Sequence, residues 1–272
     1  MKLLRYFKNL IKFIKFGGIT NLQIAQIRGY ESIKDLHIVI TGGASGIGLT
    51  LAKRFIQEGA KVIITGRSEQ KLEEVKTDIA SPNLITYLWD LNKFDNYDHH
   101  LKTILEKIGK IDVFVNNAGI LTTLEERENQ LEDWNTIFNV NLKSMYFNTL
   151  WICNNLLGKD HLVKVINISS MSEVIYEVDP YNISKSGISS MVKGFAKEFA
   201  SKGLIINAIA PGVVATKMTN LESQTNAYRE SNPSKRNTIP EEIAEFILFI
   251  SSSSCYYLQG QTIFIDGGES IR

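Results

Sequence analysis

Tyr181 and Lys185 stand four residues apart, a spacing that sets both side chains on one face of a helix. A phenol of ordinary pKa near ~10 is a poor proton donor and acceptor at neutral pH. A cation at ~5 Å in an effective dielectric of ~20 favours the phenolate by ~3 kcal/mol, or about two pKa units. Such a pair suits the protonation of a carbonyl oxygen while its carbon receives hydride. Tyr30 and Lys34 repeat the spacing ahead of the first predicted strand, so the interval alone decides nothing. Tyr181 is set apart by Ser169-Ser170 upstream, at the end of an apolar run, where the Ser170 hydroxyl can hydrogen-bond an oxygen that gains charge.

A second group of residues reads as a dinucleotide site. Ile38-Val39-Ile40 runs into Thr41-Gly42-Gly43-Ala44-Ser45-Gly46-Ile47-Gly48, and an amphipathic stretch from Leu49 to Gln57 follows. Glycines at such a strand-to-helix turn let the backbone approach a pyrophosphate, which the helix N-terminus attracts. The spacing is Gly-x-x-x-Gly-x-Gly rather than Gly-x-Gly-x-x-Gly. The next predicted strand ends Thr65-Gly66-Arg67-Ser68. A carboxylate there would bind a ribose 2′-hydroxyl and repel a 2′-phosphate, whereas the Arg67 guanidinium suits the phosphate, so NADP(H) is expected over NAD(H).

These residues need a scaffold, and the alternation of short apolar runs with longer amphipathic stretches supplies one. The runs are 36–41, 62–65, 84–88, 111–115, 163–168, 205–209 and 262–265. Seven such runs, nearly all separated by enough chain for a helix, predict a single α/β domain: a doubly wound, Rossmann-type, seven-stranded parallel sheet. The domain is expected over residues 36–272, after an extension over residues 1–35. The polar segment from Thr216 to Thr238, ahead of a helix starting near Pro240, has the length and place of a lid.

From Leu36 to Gly268 the chain resembles the short-chain dehydrogenase/reductase family. The resemblance rests on the glycine motif, Asp90-Leu91, Asn116-Asn117-Ala118-Gly119, Asn141-Leu142, Tyr181 with Lys185, Pro211-Gly212 with Thr216, and Asp266-Gly267-Gly268. Residues 195–218 and 240–268 look most like the 3-oxoacyl-acyl-carrier-protein reductase branch. The resemblance implies an NAD(P)-dependent oxidoreductase acting on a ketone or secondary alcohol, with a 3-oxoacyl thioester among the candidates. It implies that Tyr181, Lys185, Ser170 and Asn141 are catalytic, with Lys185 also holding the cofactor ribose and Asn141 ordering a water that relays protons to Lys185. Gly42, Ser45, Gly46, Ile47, Gly48, Arg67, Asp90, Leu91, Asn117, Ala118, Gly119, Pro211, Gly212 and Thr216 would surround the cofactor with Tyr181 and Lys185. It further implies a homodimer or homotetramer built through helices near 131–157 and 180–201.

Two features depart from the pattern or test it. The family usually places its serine 13 residues before the tyrosine; here Ser170 and Tyr181 are 11 apart, and Met171-Ser172-Glu173 lacks the usual small residues. Ser169 or Ser172 could then stand in for Ser170, and Glu173, Tyr176, Glu177 and Asp179 would reshape the pocket. Lys159, Lys164 and Lys202 lie near where that branch carries docking cations, although surface lysines are usually only solvated.

Thirty basic and 29 acidic residues leave a formal charge of +1, which offers no footprint for nucleic acid. Two cysteines, Cys153 and Cys255, suit a reducing, cytoplasmic setting better than a disulfide framework, and no Cys/His cluster points to a metal. The charge is concentrated at the start. Lys2, Arg5, Lys8, Lys12 and Lys15 fall within roughly a 140° arc of a helical wheel, opposite Leu3, Leu4, Tyr6, Phe7, Leu10, Ile11, Phe13 and Ile14. This basic amphipathic helix over residues 2–16 has apolar runs too short to span a membrane. It suits peripheral contact with an anionic membrane, packing on its own domain or a neighbouring subunit, or a cleaved targeting peptide, the last weakened by a single Arg and few hydroxyl residues. A different class of function also stays open, a membrane-recruited NADP-binding scaffold with little catalysis. If the helix engages lipid, full-length protein will co-sediment with anionic liposomes more than a chain lacking the first 18 residues; equal partitioning would reject membrane contact.

Overall fold

The seven apolar runs become the seven strands of one parallel sheet. The computed structural model describes residue 11 and residues 33–121, 130–158, 161–175, 177–219 and 227–271. Within these, β1 (His37–Ile40), β2 (Lys61–Gly66), β3 (Leu84–Leu88), β4 (Val113–Asn116), β5 (Val163–Ile168), β6 (Leu204–Pro211) and β7 (Thr262–Ile265) lie in the order β3-β2-β1-β4-β5-β6-β7. All six pairings are parallel. Every residue of β5 and β6 is buried, as strands covered on both faces must be.

The helices are α1 (Gly46–Gln57), α2 (Glu69–Ile79), α3 (Tyr97–Ile108), α4 (Gln130–Phe138), α5 (Ser144–Asn155), α6 (Pro180–Phe199) and α7 (Pro240–Ser251). A π-helical turn over Asn139–Lys143 joins α4 to α5. Because strand side chains alternate between faces, Ile38 and Ile40 enter one core with Leu51, Phe55 and Ile243, while Val39 enters a second with Leu101, Ile152 and Ile188. Ile33 is already fully buried in the first core.

The strand order reverses between β1 and β4, and the crevice at their C-terminal ends is where such sheets bind ligands. A buried polar chain fixes register beside that crevice. Tyr97 Oη donates to Asn148 Oδ1 (2.8 Å), Asn148 Nδ2 to Asn116 Oδ1 (2.8 Å), and Asn116 Nδ2 to Asn167 Oδ1 (2.9 Å). Asn116 and Asn167 are direct partners across β4 and β5, and both are fully buried. A one-residue slip would strand these amides without partners, so the network specifies the pairing as well as stabilising it.

The predicted basic helix over residues 2–16 lies outside the described residues except for Ile11, which is helical and exposed. No helix among the described residues is long and apolar enough to cross a membrane. Cys153 and Cys255 are free thiols, and burial pushes that of Cys153 up to about 12. In the predicted lid, a short 3-10 turn covers Lys217–Thr219, residues 220–226 lie outside the described set, and the remainder folds back through a Tyr228–Arg236 bridge.

Candidate active site

The glycine turn is built by close approach. Gly42 and Gly46 hold φ of +65° and +52°, a region that disfavours any side chain. A Cβ on Gly43 would lie 2.5 Å from the Ile64 side chain, and one on Gly48 would lie 2.6 Å from the Gly42 carbonyl oxygen. The helix begins at Gly46 rather than at Leu49, so Gly46 and Gly48 belong to its first turn. Thr41 Oγ1 accepts from the Asn117 and Ala118 amides (3.0 and 3.1 Å), and Asn117 Nδ2 donates to the carbonyls of Thr41 and Gly42 (2.8 and 3.1 Å). Asn117 and Ala118 therefore stitch the end of β4 to the turn.

The N-terminus of α1 is left open for an anion. Ser45 occupies the cap position but makes no side-chain cap bond, and no acidic residue lies in the first turn. At α2 and α6 that place is taken by a side chain: Ser68 accepts from the Lys71 amide, and Asp179 accepts from the Tyr181 amide. Unpaired N-H groups at a glycine-lined turn fit a pyrophosphate. Ser45 is exposed there, Ile47 is half-buried, and the Thr216 methyl faces Gly46. Arg67 is exposed just past the end of β2. Asp90 Oδ1 accepts from the Asn92 amide (3.0 Å), while the Leu91 side chain is buried in the second core. Pro211 ends β6, and the Gly212 amide donates to Ile265 (3.0 Å).

Tyr181 and Lys185 occupy the first two turns of α6, with Lys185 Nζ 5.5 Å from the phenol ring centre. Lys185 is 3% exposed, and its ammonium donates to the Ile168 carbonyl at the end of β5 (2.9 Å). Burial pushes its pKa down to about 8, opposed by the nearby Glu173 carboxylate. The phenol departs from the expectation of a depressed pKa. Burial pushes it above its ordinary value and Asp179 adds to this, while a hydrogen bond with the Ser170 hydroxyl pulls it down. Spacing reveals the neighbouring cation but not the desolvation of the phenol, which is the largest effect on it.

The shortened loop after β5 closes as a 3-10 turn over Met171–Val174 and still brings Ser170 to the phenol. Ser169 is turned elsewhere, donating to Glu173 Oε2 at 2.5 Å, and the Ser172 amide donates to Ser170 Oγ (3.1 Å). Glu177 and Val178 are exposed, and Tyr176 lies outside the described residues. Asn141, fully buried in the π-helical turn, accepts from the Ile120 amide (2.8 Å) and donates to the Ile120 carbonyl (2.9 Å). A Cβ on Gly119 would stand 3.6 Å from both Asn141 Oδ1 and Lys185 Nζ, so these three residues meet at one point.

Lys164 corrects the docking-cation expectation. It is 5% exposed, and its ammonium donates to the carbonyls of Ile250, Ser252 and Cys255 at 2.9, 2.5 and 3.2 Å. It closes the C-terminal end of α7 and is closed to a partner. Lys202 pairs with Glu198 (3.3 Å), and Lys159 lies outside the described residues. Sequence reading missed the Thr41 hydroxyl and the Ile168 carbonyl; a threonine directly before the glycines was the available signal for the first.

Fold and site together define a nicotinamide-dependent oxidoreductase of CH-OH and C=O groups. The chain belongs to the short-chain dehydrogenase family, whose model, described as "short chain dehydrogenase", matches residues 36–227. It is 36% identical over 238 residues to the 3-oxoacyl-[acyl-carrier-protein] reductase of Thermotoga maritima, covering 85% of this chain and 96% of that protein. It is 30% identical over 252 residues to glucose 1-dehydrogenase 2 of Bacillus subtilis, covering 89% and 97%. Among solved structures, the 3-ketoacyl-(acyl-carrier-protein) reductase of Brucella melitensis complexed with NADH superposes with a TM-score of 0.79 at 28% identity, covering 88% of this chain and 100% of that one. Gly48→Ala, by forcing a methyl against the turn's own backbone, is expected to weaken NADPH binding about tenfold or more, roughly 1.4 kcal/mol, in a fluorescence titration of folded protein. Unchanged affinity would show that this turn does not carry the pyrophosphate.

Proposed function

We propose that this protein is an NADPH-dependent carbonyl reductase, reversibly an alcohol dehydrogenase, in which Tyr181 donates the proton. The observation that carries the reading is the buried Lys185 ammonium 5.5 Å from the Tyr181 ring centre, with the Ser170 hydroxyl acting on the phenol and Gly119 and Asn141 beside the ammonium. A bound nicotinamide would supply or accept the hydride. Tyr181 gives its proton to the substrate oxygen, and Ser170 donates a hydrogen bond to that oxygen as it gains charge. A phenol kept protonated by burial is ready to act as the acid. Lys185 stabilises the phenolate left behind, and Asn141, its side chain fixed on both backbone groups of Ile120, would order the water that relays protons to Lys185. Because the Lys185 ammonium is lost as pH rises through about 8, reduction falls over that range.

Arg67 supports NADPH over NADH, since it stands exposed where a 2′-phosphate would lie in this fold. The substrate class with most support is a 3-oxoacyl thioester, on the likeness to the Thermotoga maritima reductase; the likeness to a glucose dehydrogenase keeps oxidised sugars in the test beside simple ketones. Burial of Lys164 means that any carrier docking uses other cations. Leu131, Trp134, Tyr146 and Phe147 expose apolar surface on α4 and α5, with Ile183 on α6, which supports homo-oligomerisation through these helices.

One experiment tests the reading: NADPH and NADH oxidation by wild type and Arg67→Asp across ketones, 3-oxo sugars and 3-oxoacyl thioesters, from pH 6 to 10. Turnover with NADPH on at least one class is expected, with a tenfold or greater shift toward NADH in the variant. Cofactor binding without turnover on any class would favour a scaffold, and an unchanged preference would remove Arg67 from the 2′-phosphate site.

A further inference from the structure

Glu173 stands where the family resemblance leads one to expect a small residue, and its side chain is directed inward. Its Oε2 accepts from Ser169 Oγ (2.5 Å) and its Oε1 from Ser189 Oγ (2.7 Å), while its own carbonyl accepts from Ser186 Oγ (2.8 Å). Both carboxylate oxygens are thus gripped by hydroxyls from β5's end and from α6. Ser169 in turn belongs to the peptide that holds Lys185: the Ile168 carbonyl of that peptide accepts the ammonium at 2.9 Å, and its Ser169 amide donates to Ile209 of β6 at 2.7 Å.

We propose that the Glu173 carboxylate is the counter-charge of the Lys185 ammonium and, through Ser169, the clamp on the peptide carbonyl that holds it. Glu173 is a positioning residue, since it acts on the proton path through Lys185, and the inference rests on the assignment of Lys185 to that path. Among the described residues, the cations acting on Glu173 are Lys193 and Lys185, both from α6, and the charge acting on Lys185 is Glu173. Asp179, at the start of α6, acts on Tyr181 instead. From β7 the group behind Glu173 is the neutral Thr262, bonded to Ser189 (2.7 Å). A buried ammonium with one carbonyl acceptor is poorly compensated, and the half-buried carboxylate tied through Ser169 to that acceptor's peptide favours its charged form. Loss of that charge would let Lys185 deprotonate at lower pH.

The test reads Lys185 directly. Full-length protein carrying 13C at lysine Cε is titrated by NMR, with the Lys185 signal assigned by its absence in Lys185→Arg. In Glu173→Gln the Lys185 midpoint is expected to fall by about half a pH unit or more, and the alkaline limb of NADPH-dependent reduction to fall with it. Glu173→Asp, which keeps the charge, should stay closer to wild type than Glu173→Gln, and the exposed Glu177→Gln should leave the midpoint unmoved. If Glu173→Gln does not fold, the Asp variant and Ser169→Ala carry the test, each expected to move the midpoint down by less. An unmoved midpoint in Glu173→Gln, or an equal shift in Glu177→Gln, would overturn the inference. The titration needs no substrate, so its outcome is separate from that of the proposed activity.

Discussion

A lysine ammonium held almost entirely out of water at the C-terminal end of β5 is the constraint on which the rest of the site depends. Leaving such a cation uncompensated costs several kcal/mol, so the fold must bring it an acceptor and an opposing charge. The acceptor is the Ile168 carbonyl, available because β5 ends there between β4 and β6. The opposing charge comes from the loop after β5, which turns as a 3-10 helix and ties Glu173 to Ser169 and Ser189. One turn back along α6, the same ammonium lies below the Tyr181 ring. Burial thus acts on both partners: it keeps the phenol protonated and brings the ammonium into a range where it titrates near pH 8.

The sheet's centre ties this corner to the glycine turn. Thr41 and Asn117 join β1's end to β4's end by four hydrogen bonds, and the chain then passes through Gly119 directly beside Lys185 and Asn141. The glycine turn at the start of α1 and the Tyr181 side of the crevice are therefore placed relative to one another by a few residues of β4 and its continuation. The asparagine chain through Asn148, Asn116 and Asn167 keeps β4 and β5 in register beneath them.

Much of this was legible in the residues. Runs 163–168 and 262–265 coincide with β5 and β7, because short stretches rich in β-branched residues and bounded by polar turns admit few alternatives. β6 extends past its predicted ends, since backbone pairing continues through Leu204 and into Pro211. What escaped was set by distant partners. Lys164 reads as a surface lysine until the last turn of α7 and the segment after it, more than 80 residues away, bring three carbonyls to it. Spacing put a cation beside Tyr181 but carried no information on burial, which reversed the direction of the phenol's shift. The unusual serine-to-tyrosine interval left three serines open; only folding separates Ser170, on the phenol, from Ser169, on Glu173.

The most direct test of the central claim is single-turnover reduction by Tyr181→Phe, which removes one oxygen and leaves the ring and Lys185 in place. The expected result is a loss of at least about a hundredfold in the chemical step, the usual scale of a general acid, with NADPH affinity within about threefold of wild type. A variant that still turns over within tenfold of wild type would contradict the account, because the proton would then come from another group.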